Sequence, residues 1–170
     1  MSKDEMQDSD FFDETDDEIQ ENKFLMCKIG NETYGIDIQH VTDIIEMQKI
    51  TEVPDMPEYV RGVINLRGNV IPVIDFRLRF GMEWKEFDDR TVITVVNIKD
   101  YSIGFIVDTA TEVVDIPEKN IDPPPSFQEG GGKQKYIAGL GKLEDQVIIL
   151  LDMQKLVGQE EIESIQSGVS

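Results

Sequence analysis

Cysteine and histidine are nearly absent from this chain of 170 residues, and their scarcity excludes several kinds of site. A single thiol, Cys27, cannot form an internal disulfide or a cysteine-based metal cluster. A single imidazole, His40, leaves no second histidine for a typical metal centre and no set of histidine-based catalytic groups. We therefore expect no metal, no cofactor and no enzymatic activity, with Cys27 in the core and His40 at the surface or its boundary.

Basic residues and long apolar runs are also scarce. Lysine and arginine number 16 against 35 aspartate and glutamate residues, which gives a net charge of −19. Such a charge repels phosphate backbones and anionic lipid surfaces, so nucleic acids and membranes are poor partners. The longest aliphatic run, VIILL at 147–151, is too short to cross a bilayer, and the acidic start lacks a signal-peptide pattern. These features predict a cytoplasmic protein that binds other proteins, without nucleic acid or direct membrane insertion.

The negative charge is concentrated at the start of the chain. Residues 1–21 carry ten acidic side chains against Lys3 alone, and only Phe11, Phe12 and Ile19 are sizeable apolar residues there. Too little apolar surface is available to offset the entropy of ordering such a segment. We predict a disordered acidic tail over 1–21 followed by one domain over 22–166. A docking motif around Phe11 and Phe12 is the alternative.

The remaining chain contains an internal repeat. The segment YVRGVINLRGNVIPVID at 59–75 aligns without gaps with YIAGLGKLEDQVIILLD at 136–152, and GIDIQHVTDIIE at 35–46 aligns with GFIVDTATEVVD at 104–115. The two aligned segments are farther apart in the second half than in the first. The Pro- and Gly-rich loop DPPPSFQEGGGK, which lies between them in the second half, accounts for the extra residues. This pattern predicts two similar halves, roughly 22–82 and 90–158.

Each half has the pattern of five short strands. Alternating and β-branched runs bounded by turn residues predict three strands and then a hairpin, with a short helical turn before the third strand. The predicted strands before the hairpins cover 24–29, 33–38 and 43–53 in the first half, and 91–98, 102–107 and 112–116 in the second. Five strands suit a small closed barrel, which removes exposed sheet edges. The apolar spacing after Asp152 predicts a C-terminal helix that frays near Ser167.

Aspartates follow several of the predicted strands. Asp75, Asp108 and Asp152 each come directly after an apolar run, and Asp37 precedes the first helical turn. A strand-end aspartate commonly caps the next turn through its side chain, whereas an acid/base pair needs two carboxylates that face one substrate. We interpret these residues as caps.

The hairpin of the first half contains RGVINLRGNVIPVIDFRLRFG at 61–81. Its strands would be 63–66 and 70–74, with Gly68 taking a positive φ in a bulged turn. Pro72 has no backbone N–H, so its strand should lie at an edge or at a bulge.

Arg67 lies at the tip of this hairpin, where the second half has Glu144. The fold therefore does not require arginine at this position. A guanidinium on a rigid turn is well suited to binding a partner's carboxylate or carbonyl groups, which favours Arg67 as a partner contact. The alternative is an exposed arginine paired with a local acid and contributing about 0–1 kcal/mol.

These motifs closely resemble the CheW-like chemotaxis coupling proteins. The resemblance covers about 23–158 and is carried by YGIDI, by GVINLRGNVIPVID, by GFIVDTATEVV and by VGQ after ILLDMQKL. It implies a mainly β fold of two packed, interleaved five-stranded SH3-like barrels. It also implies a non-enzymatic scaffold without cofactors that bridges the cytoplasmic tips of chemoreceptors, the methyl-accepting chemotaxis proteins, and the regulatory domain of the CheA histidine kinase. Such a protein is recruited to membrane-associated receptor arrays.

The resemblance also implies two contact surfaces. A receptor contact is expected at Arg67 with Asn65, Leu66 and Gly68. A hydrophobic kinase contact is expected at Leu25, Ile38 and Val41, although each of these three could instead be a core residue. A small-ligand or peptide-binding sensor that uses the groove between the barrels is the alternative function.

Overall fold

A computed structural model of the chain describes residues 22–124 and 135–157. Their strands are β1 Lys23–Ile29, β2 Glu32–Asp37, β3 Val41–Glu46, β4 Val60–Leu66, β5 Asn69–Asp75, β6 Val92–Ile98, β7 Tyr101–Val107, β8 Thr109–Asp115, β9 Ile121–Asp122, β10 Ile137–Leu143 and β11 Gln146–Leu151. The helices are α1 Phe76–Arg79 and α2 Met153–Leu156, with 3-10 turns at Ile38–His40 and Glu118–Asn120. The acidic tail and most of the predicted C-terminal helix lie outside these residues.

The strands form two sheets that exchange strands between the halves of the chain. The six-stranded sheet has the order β8-β1-β2-β11-β10-β9, and the five-stranded sheet has the order β3-β6-β7-β5-β4. Since β9 has only two residues, each sheet has five full-length strands. The first two strands of each half therefore pair with strands of the other half.

The strand exchange follows the internal repeat. The repeat relates β1 to β6, β2 to β7, β3 to β8, β4 to β10 and β5 to β11. This correspondence converts the order of the five long strands in one sheet into the order of the other. The predicted mainly β fold with two similar five-stranded units is confirmed.

Three clusters of buried apolar side chains form the core. The largest contains residues of both sheets, such as Ile36 of β2 and Phe105 of β7, and therefore joins them. A second lies on the five-stranded sheet around Val73 and Ile93, and a third lies on the six-stranded sheet around Ile148. The central strands β6 and β7 are buried along most of their length because they contribute to both the joint cluster and the second one. Cys27 is fully buried, as predicted, and burial raises the pKa of its thiol to about 12.

The regions around both third strands differ from the prediction. The third strand of the first half ends at Glu46 and not at 53, because its partner β6 begins at Val92, which pairs with Glu46. Between β3 and β4, only Thr51 pairs with a strand. It forms two backbone hydrogen bonds with Val63 of β4. The second half has no helical turn between β7 and β8, which a single bend at Asp108 connects.

The strand-end aspartates are caps at three positions. Asp37 accepts a hydrogen bond from the Gln39 N–H, and Asp75 and Asp152 accept from N–H groups of α1 and α2. Asp108 differs, because its carboxylate accepts hydrogen bonds from residues that are distant in the chain. Its carboxylate accepts two bonds from Arg77, from Nε at 2.8 Å and from Nη2 at 2.5 Å, and one from the N–H of Gly30 at 2.9 Å.

This carboxylate connects the two sheets. Arg77 follows β5 of the five-stranded sheet, whereas Gly30 lies in the turn between β1 and β2 of the other sheet. Although partial burial raises it, the bonds from Arg77 and Gly30 hold the pKa of Asp108 below its ordinary value. No helix among the described residues is long and apolar enough to cross a membrane.

Candidate docking surface

A tight turn presents Arg67. Leu66 pairs with Asn69, so Arg67 and Gly68 alone form the turn, with φ values of 51° and 89°. Positive φ at both positions is typical of the type I′ hairpin turn. The positive φ of Gly68 is confirmed, but the predicted bulge in the turn is wrong. The irregularity in this hairpin lies at its far end, between Val60 and Gly62.

Asn65 fixes the conformation of this turn. Its Oδ1 accepts a hydrogen bond of 2.8 Å from the Gly68 N–H. A β-carbon at Gly68 would meet no atom within 4 Å, so the turn is open on that side. Leu66 is half-buried and packs against the apolar cluster of the five-stranded sheet. Asn65, Leu66 and Gly68 thus hold the turn on which Arg67 is presented.

The guanidinium of Arg67 is both paired and accessible. Its Nη2 lies 2.7 Å from Oδ2 of Asp43 on β3, while 68% of the Arg67 side chain remains exposed. Since β3 and β4 are the two edges of the five-stranded sheet, this ion pair links opposite edges. An exposed pair of this kind contributes about 0–1 kcal/mol. The local pairing that the sequence left as an alternative is therefore present, and it leaves most of the arginine available.

The internal repeat supplies a comparison for this ion pair. The positions that correspond to Asp43 and Arg67 in the second half are Glu112 and Glu144. Two acidic side chains cannot form an attractive pair, yet the second hairpin forms the same two-residue connection, with Leu143 paired to Gln146. Glu144 also has a positive φ of 54°. The hairpin geometry therefore does not depend on the ion pair.

A polar cavity of about 480 Å³ lies beside Arg67. Its lining includes Asp43 and Arg67, together with Asp100, Tyr101 and Ser102 of the β6–β7 region. The cavity therefore offers carboxylates, hydroxyl groups and a guanidinium together. These groups can make several directional hydrogen bonds to a polar surface or to a small polar ligand.

Exposed apolar side chains are found on the strands β3 and β5. Ile44, next to Asp43, is 46% exposed, and Val70, near the start of β5, is 50% exposed. Their repeat counterparts Val113 and Val147 are 46% and 54% exposed. A large apolar side chain therefore stays exposed at the same two places on both sheets. Sequence reasoning did not single out Asp43, Ile44 or Val70, although the alignment of the halves contained this signal.

The residues predicted for the kinase contact lie on the cluster that joins the sheets. Leu25 is only 2% exposed and belongs to that cluster, while Ile38 and Val41 are half-buried and pack against it. Val41 begins β3, two residues before Asp43, which is about 7 Å along a strand. The predicted kinase contact therefore includes the strand whose Asp43 pairs with Arg67 of the predicted receptor contact.

The only histidine lies in a separate cleft. His40 is half-buried, as expected for a boundary residue, in a cleft of about 390 Å³ that also contains Asp37 and Asp152. Both carboxylates already accept a hydrogen bond as caps. Within 22–124 and 135–157, no three histidine, cysteine, aspartate or glutamate side chains are grouped as a metal site requires.

Known proteins share this architecture and sequence. A family model of the CheW-like domain matches residues 23–161. The chemotaxis protein CheW of Klebsiella aerogenes is 36% identical over 140 residues, which cover 82% of this chain and 84% of that protein. The chemotaxis protein CheW of Helicobacter pylori is 35% identical over 138 residues, with coverage of 81% and 82%.

A solved structure is also similar. The crystal structure of the scaffolding protein TtCheW from Thermoanaerobacter tengcongensis superimposes with a TM-score of 0.76 at 34% sequence identity. The match covers 82% of this chain and 94% of that chain. The similarity therefore extends over most of both chains.

Proposed function

Because this chain belongs to the CheW-like family, we propose that it is a non-enzymatic adaptor that couples chemoreceptors to the CheA histidine kinase. The observation that carries this proposal is the exposed Arg67 on a turn fixed by Asn65, beside the exposed Val70. A cation held in place next to apolar side chains is the composition of a protein contact rather than of a catalytic centre. Relatives named as chemotaxis proteins and a similar scaffolding protein support it.

The receptor side of the adaptor is the hairpin tip. Arg67 is the side chain that would contact the cytoplasmic tip of a chemoreceptor, through carboxylate or carbonyl groups that a planar guanidinium binds well. Asn65, Leu66 and Gly68 act by holding that turn. Asp43 orients the guanidinium through its ion pair and competes with a receptor carboxylate for it.

The kinase side of the adaptor is the apolar region at the start of β3. Ile38 and Val41 are half-buried and would contact the regulatory domain of CheA. Leu25 lies beneath the surface and supports this region from the core. Since Val41 precedes Asp43 on one strand, both partners would bind near a single rigid element, at the membrane-associated receptor array.

A small-ligand or peptide-binding sensor is a second candidate, favoured by the polar cavity beside Arg67. Co-sedimentation of this protein with receptor and CheA separates the two functions. The adaptor requires a complex of all three proteins. Saturable binding of a small molecule without such a complex would instead identify a sensor.

The replacement Arg67→Glu tests the receptor contact. The turn should keep its shape, because Glu144 has the same conformation in the second hairpin. We expect the loss of the cation to weaken receptor binding by about tenfold or more, in the range of interface anchor residues, and to reduce receptor-dependent kinase activity with it.

A matched control is Lys142→Glu, which reverses an exposed cation that is ion-paired with Asp122 on the second hairpin. Lys142→Glu should leave receptor binding unchanged. Equal receptor affinities for Arg67→Glu, Lys142→Glu and the parent chain, with both variants folded, would rule out Arg67 as a contact.

A further inference from the structure

A second groove lies on the five-stranded sheet, away from the tip of its hairpin. It has a volume of about 510 Å³. It is bounded by the connection after β3, by β4 and by the segment between α1 and β6 that contains Phe87. Its apolar lining is Met47, Ile50 and Phe87, which are partly buried and pack against the cluster of that sheet. The groove is therefore a continuation of the core that opens at the surface.

Cations line the same groove. Lys49 and Arg61 lie along it with one carboxylate, Glu52, so its lining is net positive in a chain of net charge −19. Within the described ranges neither Lys49 nor Arg61 forms an ion pair, whereas Arg67, Arg77 and Lys142 do. An apolar groove with unpaired cations fits a segment that contains aromatic and acidic side chains together.

The chain itself contains such a segment. The residues DSDFFDETDDE at 8–18 place Phe11 and Phe12 next to each other between acidic side chains, in a tail of net charge −9. The remainder of the chain has a net charge of −10 and repels this tail over most of its surface. The groove offers this tail apolar contact together with an opposite charge.

The tail is long enough to reach the groove. Phe12 precedes Asn22 by ten positions along the chain, and an extended linker of that length spans about 33 Å. A compact domain of this size has a radius of gyration of roughly 14 Å, so the linker reaches most of its faces. A tethered segment also has an effective concentration on the order of millimolar, at which even a weak site is largely occupied.

We propose that Phe11 and Phe12 of the acidic tail dock in the groove formed by Met47, Lys49, Ile50, Arg61 and Phe87 of the same chain. The aromatic rings cover the apolar lining, and the flanking carboxylates pair with Lys49 and Arg61. A smaller groove of about 300 Å³ shares Gln48 and Lys49 with this one and extends to Asn65 and Val70. The docking groove is therefore next to a groove that includes residues of the hairpin that carries Arg67.

Paramagnetic relaxation in the full-length protein tests this docking. A nitroxide attached to Asp13→Cys reports the position of the tail, and Cys27 stays unlabelled because it is fully buried. We expect the amide signals of 47–50 and of Phe87 to be lost, while those around Glu144 on the other sheet remain. Uniform broadening of the amide signals over the whole surface would overturn the proposal, and so would broadening confined to another face.

Variants separate docking from chance proximity. Phe11→Ala with Phe12→Ala, in the labelled chain, should restore the groove signals without altering the folded domain. Lys49→Glu should also restore them, whereas Lys28→Glu, an exposed lysine on β1, should not. Groove variants avoid Arg61, since its charge also acts on the buried carboxylate of Asp75. Broadening that survives the loss of both phenylalanines would refute docking through these rings.

A mixed sample identifies the chain that supplies the tail. Nitroxide-labelled protein without ¹⁵N is combined with ¹⁵N protein without nitroxide, and we expect no broadening in the latter. Broadening there would mean that the tail of a second copy occupies the groove, which contradicts the proposal. Trp84, the only tryptophan, provides an independent measurement because its ring lies 5.8 Å from that of Phe87. Its quenching by acrylamide should increase when Phe11 and Phe12 are replaced. These measurements use the protein alone, so their outcome does not depend on receptor or kinase binding.

Discussion

Asn65 and Asn97 perform the same structural task in two different turns. Asn65 Oδ1 accepts from the Gly68 N–H at 2.8 Å, and Asn97 Oδ1 accepts from the Asp100 N–H at 3.2 Å. Each bond closes a two-residue turn whose central residues have positive φ. The difference between the turns is what they present, since only the first carries Arg67. At the residue scale, the proposed receptor contact rests on Arg67, whereas the shape of its turn rests on Asn65.

This pair allows stability to be separated from binding. We expect Asn65→Ala and Asn97→Ala each to lower the free energy of unfolding by about 1 kcal/mol, the contribution of one hydrogen bond. In a domain of this size, the melting temperature should fall by about 3 °C in thermal denaturation. Only Asn65→Ala should weaken receptor binding, because it loosens the turn that holds Arg67. Equal receptor affinities in the two variants would show that Asn65 has no role in positioning Arg67.

At the scale of elements, the hairpins and paired strands could be predicted from sequence because their signals are local. The alternation of apolar residues and the turn residues at 67–68 indicated the hairpin without knowledge of any partner strand. The end of β3 could not be predicted, since it depends on where β6 begins. The Arg67 ion pair was equally hidden, because many acidic residues in the sequence could have supplied its partner.

Gly62 illustrates a requirement that the repeat revealed only in part. The alignment matches it with Gly139, and a tight approach of the chain would explain both. In the structure, a β-carbon at Gly62 would lie 2.1 Å from the Thr51 carbonyl oxygen, and φ is 144°. At Gly139 the nearest atoms would lie at 3.0 Å. Two glycines that are equivalent in sequence are thus under unequal constraint.

We expect Gly62→Ala to destabilise the fold by about 3 kcal/mol or more, because the clash adds to backbone strain. Gly139→Ala should cost about 1 kcal/mol, since its neighbours need to move only slightly. Urea denaturation of both variants measures the difference. Similar losses in the two variants would mean that the contact between Thr51 and β4 yields easily.

At the scale of the whole molecule, the two sheets are joined by chain connections that pass from one sheet to the other, by a common apolar cluster and by the hydrogen bonds of Asp108. The repeat predicted two similar halves, but two equal halves allow strands to pair within a half or between halves. Sequence periodicity does not distinguish these arrangements, because the same strands and the same buried faces occur in both. The hydrogen bonds by which Asp108 links the two sheets could not be predicted for the same reason.

Asp108 should give the joined sheets a specific pH dependence. Its pKa is lowered in the folded state, so its ionised form contributes stability above the unfolded pKa of about 3.9, and that contribution is lost as the pH falls through the folded value. We expect Asp108→Asn to lower the free energy of unfolding at pH 7 by about 2 kcal/mol. Thermal melts should show this difference shrinking as the pH drops below about 4.

The control for this pH series is Asp122→Asn, which removes an exposed ion pair with Lys142. It should change stability little at any pH. A difference between Asp108→Asn and the parent chain that stays constant from pH 7 to acid would show that the Asp108 charge does not contribute in this way.

The exchange of strands also has a consequence for synthesis on the ribosome. The five-stranded sheet needs only β3 to β7, so it can form once Val107 has left the exit tunnel. The six-stranded sheet cannot, because Tyr34 of β2 must wait for Ile149 of β11. During that interval the apolar face of the β1–β2 pair is exposed while translation continues. A nascent chain of this topology is therefore most vulnerable to misassociation late in its synthesis, when its first strands still lack their neighbours.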